Sequence, residues 1–166
     1  MSFHMHLRAT ASNEVPQDFS SLLDFMWAAW EAHPEEYAAG IADSIEKDFG
    51  HVDELYTMGT DHGDATNAAS TLPIFGGRQI YSSPAKDQPP FVILSPAETR
   101  GTAEFLRIVS FDERWQIAGA KLSTPYVGWK DENAARNIFL GYHNDLRTFY
   151  ARAAQAGHTV IKAFWY

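Results

Sequence analysis

The sequence contains no cysteine. Disulfides, thiolate nucleophiles and cysteine-ligated metal sites are excluded together, and a reducing compartment is expected. Basic residues are scarce: 13 Lys and Arg stand against 21 Asp and Glu in 166 residues, a formal net charge of −8. Nucleic acid and anionic membranes both recruit proteins through clustered cations, and no such cluster is visible, so neither is expected as a partner. No stretch reaches the ~18 consecutive apolar residues of a membrane span. The segment Met1 to Thr10 carries two histidines and no long apolar run, unlike a signal peptide. The cytoplasm is the expected address. G-x-S-x-G, Walker, H-E-x-x-H and GxGxxG motifs are all missing, as are repeats and low-complexity tracts.

What is present is the composition of a core-forming chain. Hydrophobic residues make up 45% and charged residues 20%, with five Trp, seven Tyr and eleven Phe. A chain of this length reads as one domain, residues 1–166, able to bury a sizeable core without staples.

Residues 3–9 alternate as a strand, with Phe3, Met5 and Leu7 on one face and His4, His6 and Arg8 on the other. Phe19, Leu22, Leu23, Met26, Trp27 and Trp30 form a helical stripe that ends at His33-Pro34. A second helix is expected there, with Tyr37, Ala38, Ile41 and Ile45 turned inward. Phe49, Val52, Leu55 and Tyr56 continue a helical spacing towards a stop at Gly59. Leu72 to Ile80 holds the Gly76-Gly77 pair, which signals a tight turn or backbone passing close to something. Ser82 to Pro90, with three prolines, reads as a surface loop. Phe91 to Leu94 reads as a buried strand, and Ser95-Pro96-Ala97-Glu98 is a helix start with cap, N1 proline and capping glutamate. Phe111 to Trp129 reads as irregular backbone. Ile138 through Ala153 marks a long amphipathic helix closed by Gly157, and Thr159 to Tyr166 a final strand. Strands do not alternate with helices, so the expectation is an α+β domain: a small mixed sheet that includes the N- and C-terminal strands, packed with several amphipathic helices.

Several side-chain groups bear on function. His4 and His6 share a strand face, ~6.5–7 Å apart at the backbone, and two imidazoles at that spacing supply half of a zinc site. A solvent face or capped sheet edge is the plainer reading of the pair. Asp61-His62-Gly63-Asp64 places carboxylates beside an imidazole, the composition of a general base or of an ordinary turn. Gly76-Gly77-Arg78 offers amides and a guanidinium to an anion, or simply turns the chain. Glu35-Glu36 and Asp112-Glu113 read as helix-start acids. Trp115, Tyr126 and Trp129 either line a pocket for a flat ligand or pack the core.

The segment from Asn144 to Val160, with Leu146, Phe149-Tyr150, Ala153-Ala154 and Gly157 before an apolar strand, resembles the end of the YfbM-like family of bacterial proteins. Ser2 to Ala9, Leu72-Pro73-Ile74-Phe75-Gly76-Gly77 and Leu94-Ser95-Pro96-Ala97-Glu98 resemble further segments of that family in the same order. The resemblance implies a compact α+β fold and a bacterial origin. It implies no activity, because that family has none assigned. From the residues, the expectation is a non-catalytic binding domain for a protein or small molecule, without a cofactor. The alternative is a metal-assisted or histidine-based hydrolase using His4, His6, Asp61, His62 and Asp64. The weak ligand-binding candidates are Asp61, His62, Arg78, Trp115, Tyr126 and Trp129.

Overall fold

The computed structural model describes residues 4–58, 69–126 and 131–165. Five strands form one sheet: β1 (His4–Thr10), β2 (Ala42–Ile45), β3 (Arg78–Ile80), β4 (Phe91–Leu94) and β5 (Thr159–Trp165), in the spatial order β2-β1-β5-β4-β3. Every pairing is antiparallel. The longest pairing joins the two ends of the chain, with Met5 opposite Phe164 and Leu7 opposite Lys162. A strand as apolar as Val160 to Phe164 is satisfied only with both faces covered, and both faces are.

The helices α1 (Phe19–Glu31) and α2 (His33–Ala39) cover one face. There Leu22 and Met26 of α1 meet Phe91, Ile93, Ile161 and Ala163. The opposite face carries α3 (Phe49–Thr57), α4 (Pro96–Ile108), α5 (Phe111–Ser123) and α6 (Glu132–Gln155). Met5, Leu7, Ile45, Leu94 and Val160 point into that larger core, against Leu106, Phe139, Leu146 and Tyr150 among others.

Local signals explain most of the starts and stops. Asp18 caps α1 by accepting from the Ser21 amide at 2.9 Å. Ser95 and Glu98 form a reciprocal capping box on α4, with Pro96 in its first turn. Gly157 adopts φ 68° just beyond α6, where an L side chain would be strained. The acids Glu35-Glu36 and Asp112-Glu113 lie in the first turns of α2 and α5.

Three expectations need correcting. The second helix does not continue to Ile45. Gly40, at φ 75°, ends it, and Ala42–Ile45 pairs with β1. The four-residue spacing of Ile41 and Ile45 fits a helix, but the hydrogen bonds offered by β1 decide for a strand. Residues 111–123 are helical rather than irregular: Ser110 caps them by accepting from the Glu113 amide, and Pro125 falls after the end, in a 3-10 turn at Thr124–Tyr126. The face carrying His4, His6 and Arg8 is not open to solvent, because α1 and α2 lie over it. Gly59, Gly128 and Tyr166 lie outside the described residues. Among the described residues no helix is long and apolar enough to cross a membrane.

Candidate functional site

Alternation on β1 sends His4 and His6 to the same face, and α1 and α2 meet them there with Trp30 and His33. The His4 and Trp30 rings lie 4.1 Å apart, Trp30 stacks on His33 at 5.3 Å, and His6 meets His33 edge-on at 5.0 Å. His6 is fully buried, and neither ring nitrogen has a hydrogen-bond partner among the described residues. Burial, with His33, His4 and Arg8 close by, pulls its pKa down to about 3. Burial likewise lowers His4 and His33. These imidazoles are neutral aromatic plates at physiological pH. Among the described residues no group of three or more His, Asp or Glu is arranged to hold a metal ion.

On the opposite face the same alternation points Lys162 into the core. Its ammonium donates to the carbonyls of Leu72 at 2.5 Å, Ile74 at 3.0 Å and Gly76 at 2.7 Å. All three donors are met, which is the condition for burying such a group at all. Burial nevertheless lowers its pKa to about 7, against the pull of Asp53. The Gly76-Gly77 pair is the counterpart of this clamp. A Cβ on Gly76 would sit 3.0 Å from the Leu72 backbone, and one on Gly77 would sit 2.8 Å from the Leu94 side chain. The chain passes too close to its neighbours for anything but glycine, and Gly77 also holds φ 129°. Tyr150 secures the same segment by donating to the Pro73 carbonyl at 2.9 Å.

The sequence-predicted ligand residues do not gather in one place. Arg78 is exposed on the outer strand β3. Trp115 is buried between Phe111, stacked at 5.9 Å, and Phe139 at 5.5 Å. Its ring leaves no room for a side chain at position 119, where a Cβ would lie 2.7 Å from the indole. Tyr126 is buried too, and shares the Asp48 carboxylate with Tyr142 at 2.7 and 3.1 Å. Asp61, His62, Asp64 and Trp129 lie outside the described residues.

A concavity with aromatic walls lies elsewhere, at the end of the sheet where β4 and β5 meet α1 and the 81–90 loop. It is a cleft of about 840 Å3 with rings from Phe19, Tyr81, Phe91, Phe164 and Trp165 in its walls. Phe19 and Phe91 are 4.9 Å apart, and Trp27 closes edge-on against Trp165 at 5.7 Å. The indole N–H of Trp165 is buried and has no hydrogen-bond partner among the described residues. Lys86 sits in the left-handed region, φ 53°, and holds its ammonium 4.6 Å over the Tyr81 ring. The sequence reads 82–90 as a surface loop and Trp27 as part of the α1 stripe, and Trp27 is 53% exposed rather than in the core. Tyr81 and Phe91 flank this loop in sequence, but Phe19, Phe164 and Trp165 join them only through the tertiary fold.

A comparison with solved structures finds "a Protein of Unknown Function YfbM from Escherichia coli", with a TM-score of 0.59 and 13% identity over 98% of this chain and 99% of that one. At that identity the likeness carries the fold alone. No curated protein matches the chain. The family described as "Domain of unknown function (DUF1877)" matches residues 1–163. With that match across nearly the whole chain, and a fold shared end to end with YfbM, the protein belongs to the YfbM-like DUF1877 family.

Proposed function

We propose that this domain is a non-catalytic binding module that accepts a flat, hydrogen-bond-accepting group in the cleft between α1 and the 81–90 loop. The reading is supported by the aromatic-walled cleft of about 840 Å3 with Trp165 in its wall, that residue's indole N–H being buried without a hydrogen-bond partner among the described residues. An unmet buried donor costs free energy, roughly 1–3 kcal/mol, which a ligand carbonyl recovers. The surrounding rings select a planar or apolar body, and a few placed polar groups set its orientation. Leu23, 39% exposed on α1, forms part of the rim. The occupant is a small molecule, or a ring and carbonyl presented by a peptide.

Benzamide, a ring bearing one carbonyl, is a minimal probe. In 15N-edited NMR its titration should move the Trp165 indole resonance saturably, and Leu23→Glu should weaken the effect. Isobutyramide has the carbonyl without the ring and should do much less. An indole resonance that ignores benzamide, or responds equally to both amides, rejects this reading.

A further inference from the structure

A second groove runs between α4 and α6, and its charge is opposite to that of the protein. Arg100, Arg107, Arg147 and Arg152 line it, with Glu104 as the one acid. Four arginines against one glutamate give it a charge of +3, so the rest of a chain whose total is −8 carries −11. Arg107 is held by Glu104 through two bonds of 2.8 and 2.6 Å. Arg100, Arg147 and Arg152 make no ion pair with any described residue. Arg152 lays its guanidinium against Gly40 in the neighbouring recess, so Arg100 and Arg147 are the arginines that face this groove without an ion pair among the described residues, against a composition in which acids outnumber bases 21 to 13. An incoming anion finds these guanidiniums without competing carboxylates.

We propose that this groove docks an acidic helical segment of a partner protein. Length selects against a small anion. Arg100 and Arg107 are seven residues apart on α4, about 10.5 Å along its axis, and Asn144 to Gln155 spans about 16 Å of α6. A single phosphate pairs with guanidiniums at ~2.7–2.9 Å and cannot serve charges strung over two to three turns. The −11 carried elsewhere repels a nucleic acid or an anionic membrane, whose charge extends well beyond the groove. A short acidic segment meets only the arginines. The floor suits a helix, because half-buried Ala103 and Ala154 leave room for a backbone to approach between the charged walls. Carboxylates at positions i, i+4, i+7 and i+11 of one helix face repeat at the pitch of the arginines.

The probe is a fluorescein-labelled 16-residue alanine-based helix with glutamates at those four positions, followed by anisotropy with the full chain. Saturable binding is expected at 50 mM NaCl, weakened about tenfold or more at 500 mM. The Glu→Gln version of the peptide should not bind. Arg100→Glu with Arg147→Glu, both exposed and both checked for native circular dichroism, should abolish binding. Arg114→Glu, outside the groove, should not. Failure of the wild-type chain to bind the glutamate helix overturns the proposal. So does displacement of the helix by equimolar pyrophosphate, which marks a small-anion pocket, or tighter binding of an RNA oligonucleotide. Concentration-dependent self-association that Arg147→Glu dissolves assigns the groove to a second copy instead. Because the linings of the groove and the cleft share no residue, loss of helix binding and loss of benzamide binding are separately readable.

Discussion

The two faces of the sheet bury polarity in different ways. Under α1 and α2, polar rings are kept neutral: His6 is sealed with both nitrogens unmet among the described residues, and Trp30 and His33 pack around it. Under α3 to α6, the largest buried polar side chains are partnered, although Asp43 Oδ2 and Thr99 Oγ1 have no partner among the described residues. Lys162 meets three carbonyls, Tyr150 meets the Pro73 carbonyl, and Tyr56 pairs with His143 at 3.0 Å. The comparison teaches that one sheet tolerates buried ionisable groups either by removing the charge or by satisfying it. The two solutions respond differently to mutation and to pH.

The largest effect is expected where satisfaction is complete. Lys162→Met leaves three carbonyls without donors and frees the 72–77 segment, and should cost about 3–5 kcal/mol in urea denaturation. A loss under about 1 kcal/mol would mean that water replaces the ammonium without penalty, and the contrast between the faces would fail.

His6→Phe tests the neutral face. The folded pKa of about 3 lies below the unfolded value of about 6.5, so the native state refuses a proton that the unfolded chain accepts. Stability from this group is therefore present above pH 6.5 and lost as pH falls towards 3. The variant should hold near wild-type stability at pH 7.5. Between pH 7.5 and pH 4 it should lose about 2–3 kcal/mol less than wild type, read from denaturant midpoints at each pH.

Asp43 sharpens the comparison from the other side. It faces the larger core opposite Leu7, and burial raises its pKa to about 7. Here the native state keeps a proton that the unfolded chain releases near pH 3.8, so stability falls as pH rises from about 4 to about 7. Asp43→Asn should raise stability by about 1 kcal/mol or more at pH 8 and change little at pH 4. An equal gain at both values would show that packing, not titration, is responsible.

The smallest effect serves as a control independent of both faces. Ser95→Ala removes the exposed capping box of α4 and should cost about 1 kcal/mol at any pH from 5 to 8. A cost that varied across that range would implicate Glu98 in the titration of Lys162, which it approaches electrostatically.

How much was legible follows from the range of each interaction. The capping box at Ser95, the stop at Gly157 and the stripe of α6 are local, since each is settled by residues within about four positions. The strand faces of β1 were legible as well, because alternation has a fixed period of two. Lys162 alternates with the apolar Val160 and Phe164 on one strand face, so the anomaly was visible, but its three carbonyl partners some ninety residues away were not. β2 was missed because Ile41 and Ile45 fit a helix until β1 supplies a partner for Ala42–Ile45. Residues 111–123 were misread because Pro125 and Gly128 weighed against a helix that ends before them. The histidines of β1 were rightly placed on one face, but what lies over that face depends on where α1 and α2 pack.

The sequence by itself therefore determined the class of fold, most helix ends, the acidity and the absence of thiol chemistry. Those properties depend on composition and on contacts within a turn or two of the chain. Only the tertiary structure decided that His6 is buried and unpartnered among the described residues, that Lys162 and Gly76 clamp together, that Trp165 stands in the wall of an aromatic cleft, and that arginines from α4 and α6 share one groove. Each of these joins residues far apart in sequence, and a one-dimensional pattern carries no record of which distant segments the antiparallel register brings face to face.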